Sequence, residues 1–270
     1  MDDRVKVTIS DGIADVRLVR ADKMNALDAA MFDALVAASG RLAHEKGLRA
    51  VVLSGEGRAF CAGLDMDSFA AMKAGGGNGI AGGEKRDLVA RTHGIANFPQ
   101  AAVWGWRQLP VPVIAAIQGV AFGGGFQLAL GADMRFLSPD ARMSIMEIKW
   151  GLVPDMAGTP ILASLVRDDI LRELTYTGRV FSAQEALGYG LATRICDDPR
   201  AAAFDVAQEI AGKSPDAIRA AKRLLNKLSV DPGPALLAES VEQMKLIGSA
   251  NQLEAVRANI DKRAPRFADS

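Results

Sequence analysis

A chain of 270 residues, 49% of them hydrophobic, is long enough for one large core with a smaller appendage. Lysine plus arginine and aspartate plus glutamate both number 32, so the zero formal charge supplies no polyanion-binding field and argues against nucleic acid as a main partner. Two cysteines, Cys61 and Cys196, in unrelated contexts, and two histidines give no basis for a disulfide framework or a metal site; the acidic start MDDRVKVTIS and the lack of a membrane-length apolar run lead us to expect a soluble, cytoplasmic protein.

Residues 5–9 and 13–19 alternate apolar and polar around Ser10-Asp11-Gly12, the pattern of a β-hairpin. After RADKMNAL, Asp28 stands where a helix cap belongs, and Met31, Leu35, Ala38 and Leu42 recur on one helical face that ends near Gly47. Residues 50–53 form a short buried strand that empties into SGEGRAFCAGLDMDSF, a glycine-punctuated loop with a helix start at Asp65 or Asp67. The glycine-rich segment 72–84 has no periodicity and reads as a loop and a lid candidate. Residues 87–108 read as helix, stopped by Pro110 and Pro112.

The pattern then sharpens. Val113 to Ile117 is a buried strand, and Gly123, Gly124 and Gly125 lead into the apolar run from Phe126 to Leu130. Glycine lets backbone N–H groups approach a ligand oxygen, and a helix start behind them leaves donors unpaired, so this turn suits a developing anion. Close helix–strand packing alone would also call for glycines here. No Lys-Ser/Thr follows, and Gly119 is not spaced from the triplet as in G-x-G-x-x-G, so neither phosphate-binding motif is present. Residues 133–137 give another strand, 141–148 another extended or turning piece, and a helix capped by Thr159 with Pro160 in its first turn is expected after GLVPDMAG.

Past Thr193 the segments 200–213, 215–228, 234–248 and 251–262 are helical in pattern. Leu237, Val241, Met244 and Ile247 form one apolar stripe, and Leu253, Val256 and Ile260 another. Packing on the chain's own body and burial against another subunit both stay open.

CAGLD and AFGGGFQL share one grammar, a strand, a small-residue turn and a helix start, which suggests paired backbone donors converging on one oxygen. With KMNAL at 23–27, GEGRAFCAGLD at 55–65, PVIAAIQGVAFGGGFQLALGAD at 112–133, SIMEIKWGLVP at 144–154 and FSAQEALGYGLA at 181–192, the chain resembles the enoyl-CoA hydratase/isomerase, or crotonase, family over nearly its whole length. The resemblance implies an α/β fold, a spiral of ββα turns over residues 1–195 that binds acyl-CoA, followed by a helical oligomerisation region at 196–270 in a trimer or dimer of trimers. It also implies an acyl-CoA thioester as substrate and partner, with no separate cofactor, CoA being part of the substrate.

By the same resemblance the thioester oxygen is held by the N–H groups of Leu64 and Gly124, and the backbone around Lys23, Ala26, Ala62, Asp65 and Met66 holds CoA. A thioester reacts at its α or β carbon only if charge on its oxygen is tolerated, which two preorganised donors allow. Hydratases of the family use two glutamates. Glu147 matches one; Gln127 stands at the other, and an amide neither takes nor gives a proton at neutral pH. Asp155 resembles the aspartate of the family's dienoyl-CoA isomerases, although those also have an acid at the Gln127 position, and a polar turn residue is the alternative reading. The expectation is an enzyme of fatty acid metabolism that favours double-bond isomerisation of enoyl-CoA, against hydration or non-catalytic binding of a CoA ester.

Overall fold

The computed structural model describes residues 4–73, 87–227 and 233–266. Strands β1 (Val5–Ser10) and β2 (Ile13–Leu18) pair antiparallel. Asp11 and Gly12 between them both take positive φ (53° and 77°), the turn that matches strand twist. Helix α1 (Ala29–Leu42) follows, its first turn capped by the Asp28 carboxylate accepting from the Met31 N–H at 2.8 Å, and Met31, Leu35, Ala38 and Leu42 are all buried as their spacing requires.

Strand β3 (Ala50–Gly55) runs into helix α2 (Met66–Lys73), and helix α3 (Phe98–Gln108) precedes strand β4 (Val113–Ile117). The short β5 (Val120–Phe122) leads to helix α4 (Gly124–Leu130), then to β6 (Met134–Leu137), β7 (Arg142–Ser144), α5 (Gly158–Leu162) and α6 (Asp168–Thr177). The ββα part closes with β8 (Phe181–Ser182), α7 (Ala183–Gly188) and β9 (Arg194–Ile195). Among the described residues the main sheet has the order β1-β2-β3-β4-β6-β9 and a smaller one the order β5-β7-β8. The short steps between the two sheets make a mixed α/β fold.

Four helices form the tail: α8 (Pro199–Ala211), α9 (Pro215–Lys227), α10 (Gly233–Leu246) and α11 (Ala250–Ile260). Strand alternation explains where the first one packs. Val113, Ala115 and Ile117 of β4 enter the large core, whereas Ile114 and Ala116 point to the other face with Val52, Phe136 and the α8 residues Ala203 and Ala207. Helix α8 thus seals the second face of the sheet. Helix α11 lies on α2 and on the 3-10 turn Glu147–Trp150, and α10 lies on α5. Of the tail stripes, Val256 is buried and Met244 and Ile247 pack on the large core, while Leu237 and Ile260 remain exposed.

Two expectations are corrected. The helix read across 87–108 spans only Phe98–Gln108: Asn97 and Gln100 form a reciprocal capping box and Pro99 sits in the first turn, so the helix starts there and 87–96 takes a non-helical path. The cap of α5 is Ala157, not Thr159, and it stands in the left-handed region at φ 67°. Of the lid candidate at 72–84, residues 74–84 lie outside the described residues.

Candidate active site

The KMNAL turn is zipped to the CAGLD turn by backbone. Ala62 N–H donates to Met24 O at 2.9 Å, Leu27 N–H to Gly63 O at 2.8 Å and Asp65 N–H to Leu27 O at 3.1 Å. Asn25, fully buried, holds the crossing: its side-chain oxygen accepts from Arg20 N–H, and its amide donates to Glu56 O and Ala59 O. The thiol of Cys61 donates to Asn25 O, and burial pushes its pKa up to about 12, which makes it inert filling. Asp65 accepts from Asp67 N–H, capping α2, and pairs with Arg20, so its carboxylate stays below its ordinary pKa despite burial.

The second turn lies directly against the first. A Cβ on Gly63, whose φ is +87°, would come within 2.6 Å of Phe122 O and 3.8 Å of Gly124 N, so only glycine allows this approach. Leu64 and Gly124 line one cavity, and among the described residues no backbone acceptor takes either N–H.

That cavity, of about 520 Å³, is lined by Lys23, Ala26, Ala62, Leu64, Asp65, Met66, Gly124, Glu147 and Asp155, so the fold brings nearly all of the sequence candidates together. Phe32, Phe69, Trp150 and Met146 supply an apolar wall, with Phe69 and Trp150 stacked at 4.0 Å between ring centroids. Gln127 is the exception: it is buried behind the wall, not in it. Its amide nitrogen donates to Glu147 Oε1 at 2.7 Å, and its oxygen accepts from Met156 N–H and Gly158 N–H, both at 2.9 Å.

Glu147 and Asp155 are both buried, and Glu147 Oε2 and Asp155 Oδ2 have no hydrogen-bond partner among the described residues. Burial pushes Glu147 up to about 7, against the lowering effect of its own backbone N–H and the Gln127 amide. Asp155 is raised well above its ordinary value, first by burial and then by its neighbours Glu239 and Glu147, with the Gln243 amide opposing the rise. The sequence reading missed Glu239 and Gln243, which reach this region from α10.

The enoyl-CoA hydratase/isomerase family model matches residues 8–270. The chain belongs to that family. It is 32% identical to the carnitinyl-CoA dehydratase of Proteus mirabilis over 99% of each chain. It is also 32% identical to the peroxisomal Delta(3,5)-Delta(2,4)-dienoyl-CoA isomerase of Arabidopsis thaliana, over 92% of this chain and 90% of that one. Among solved structures, the carnitinyl-CoA hydratase of Mycobacterium avium superposes with a TM-score of 0.83 at 26% identity, covering 99% of each chain. The family contains both hydratases and isomerases, so membership establishes an enzyme of this kind, and the choice between the reactions has to be argued from the acids.

Proposed function

We propose that this family member is an acyl-CoA double-bond isomerase. The observation that carries the reading is the pair of buried carboxyls lining one cavity, each with an oxygen that has no partner among the described residues, beside a Gln127 whose side chain is spent on bracing. Hydration by the family's two-glutamate route needs a second acid at Gln127. An amide whose oxygen already accepts two N–H groups has no basic atom to offer a water.

The thioester oxygen is assigned to the Leu64 and Gly124 N–H groups, and the CoA moiety to the backbone around Lys23, Ala26, Ala62, Asp65 and Met66. With the carbonyl held there, charge released by proton removal is delocalised onto oxygen. Glu147, whose pKa of about 7 suits proton abstraction at neutral pH, takes the proton from the carbon next to the double bond and leaves an extended enolate. Asp155, which burial and its acidic neighbours dispose to hold a proton more tightly than an ordinary carboxyl, returns a proton to the remote carbon. Two acids lining one cavity suit a 3,5-dienoyl-CoA, and Glu147 alone is sufficient for 3-enoyl-CoA.

The test is incubation with 3,5-dienoyl-, 3-enoyl- and 2-enoyl-CoA, with products identified by mass and ultraviolet absorbance. Isomerisation without gain of water is expected from the first two. A gain of water from 2-enoyl-CoA at a higher rate contradicts the reading.

A further inference from the structure

The segment that carries Asp155 is gripped from two sides in alternation. Met156 and Gly158 N–H groups donate to Gln127 of α4, and the N–H groups between and after them turn the other way: Ala157 N–H donates to Glu239 Oε2 at 3.1 Å and Thr159 N–H to Glu239 Oε1 at 2.8 Å. Gln243, one helical turn from Glu239 and on the same face of α10, accepts from Val153 N–H at 3.3 Å. Glu239 is 5% exposed, and the Gln100 amide also donates to its Oε2 at 3.2 Å. Among the described residues, the hydrogen-bond partners of this carboxylate, the Thr159 side chain included, are donors. Between the two grips sits Ala157 at φ 67°, a conformation that a residue with a Cβ resists unless its surroundings impose it.

We propose that Glu239 is a positioning residue for proton transfer: its carboxylate, reaching from the helical tail, fixes the left-handed turn at Ala157 and so sets where Asp155 stands in the cavity. This rests on the reading of the cavity as the catalytic site, since Glu239 does not line the cavity and touches no reacting atom. The turn needs an acceptor at both carboxylate oxygens. An amide in its place offers an acceptor at one position and an opposing N–H at the other, which releases either Ala157 or Thr159. A buried carboxyl with a purely structural role would, on replacement by an amide, change the melting temperature alone.

The experiment compares the unmodified protein with Glu239→Gln and with the double variant Glu239→Gln/Ala157→Gly, well below the melting temperature of each. The expected result for Glu239→Gln is a kcat on 3,5-dienoyl-CoA lowered about tenfold or more with its KM changed by less than about twofold, because the Leu64 and Gly124 turns are untouched. Amide exchange across 155–159 is expected to quicken. Glycine at 157 adopts the left-handed turn without strain, so the double variant is expected to recover part of the lost kcat. The proposal is overturned by Glu239→Gln keeping kcat within about twofold, by a loss that follows only the folded fraction, or by no recovery in the double variant. Should the unmodified enzyme turn out only to hydrate, the isomerase reading falls, and the same kcat ratio measured on hydration still decides the role of Glu239.

Discussion

The two walls of the cavity are built from different materials. One is backbone: the turns at 62–64 and 122–124, brought together because Gly63 lets main chain approach main chain. The other is side chain: Glu147 and Asp155 at the surface of the cavity, braced by Gln127, with Glu239 gripping the turn beyond. A backbone donor survives almost any substitution at its own position and is lost only when the turn itself is deformed. A carboxyl is lost by replacing one oxygen. On the proposed reading the backbone wall governs binding and charge stabilisation, and the side-chain wall decides which reaction that stabilised charge undergoes.

The contrast predicts graded outcomes. Glu147→Gln, nearly isosteric and neutral, is expected to lower kcat by about a thousandfold or more while CoA-ester affinity stays within about threefold, as read by steady-state kinetics and calorimetry. Gly63→Ala breaks the other wall. Its Cβ meets Phe122 O at 2.6 Å in a left-handed conformation, so both turns must shift. A fall in kcat/KM of about a hundredfold, with a lowered melting temperature, is expected there. Asp155→Asn is expected to cost about ten- to a hundredfold on a 3,5-dienoyl-CoA and much less on 3-enoyl-CoA; equal losses on both would show that the acid does not act at the remote carbon.

Gln127→Glu tests the comparison from the opposite side. A carboxylate placed 2.7 Å from Glu147 Oε1 adds the missing acid and pushes Glu147 further up by like-charge repulsion. Measurable hydration of 2-enoyl-CoA should appear, together with a lowered melting temperature. The smallest effect is on stability against pH. Glu147 titrates near 7 in the folded protein against an ordinary 4.5, so the folded state holds the proton more tightly. Its contribution is full below about pH 4.5 and is lost as pH rises through about 7. Thermal melts between about pH 5 and about pH 8 should show a shallower decline in Glu147→Gln than in the unmodified protein.

The same division explains what the sequence discloses. The backbone wall was legible because its requirements are glycines and small residues at fixed places, and CAGLD, AFGGGFQL and KMNAL carry them openly. Glu147 was legible through the resemblance of its motif, and the hairpin and α1 through alternation, helical spacing and the Asp28 cap. The start of α3 was missed because the apolar spacing upstream imitates a helix, while the Asn97–Gln100 capping box overrides it. Glu239 and Gln243 carried no local signal: in ALLAESVEQM they read as the polar face of an amphipathic helix, and only the docking of α10 on α5 turns that face inward. The motif marks Gln127 as an amide at an acid position but gives no sign that the Met156 and Gly158 N–H groups occupy its oxygen.

The central claim, that the acids move a proton between carbons and do not deliver water, is tested most directly by following 3,5-dienoyl-CoA and 2-enoyl-CoA with the unmodified enzyme in deuterated water, reading products by mass. The account predicts an isomerised product with no added water, formed faster than any 3-hydroxyacyl-CoA from 2-enoyl-CoA, and loss of that product in Glu147→Gln. Faster formation of the 3-hydroxyacyl-CoA, or isomerisation undiminished in Glu147→Gln, would contradict it.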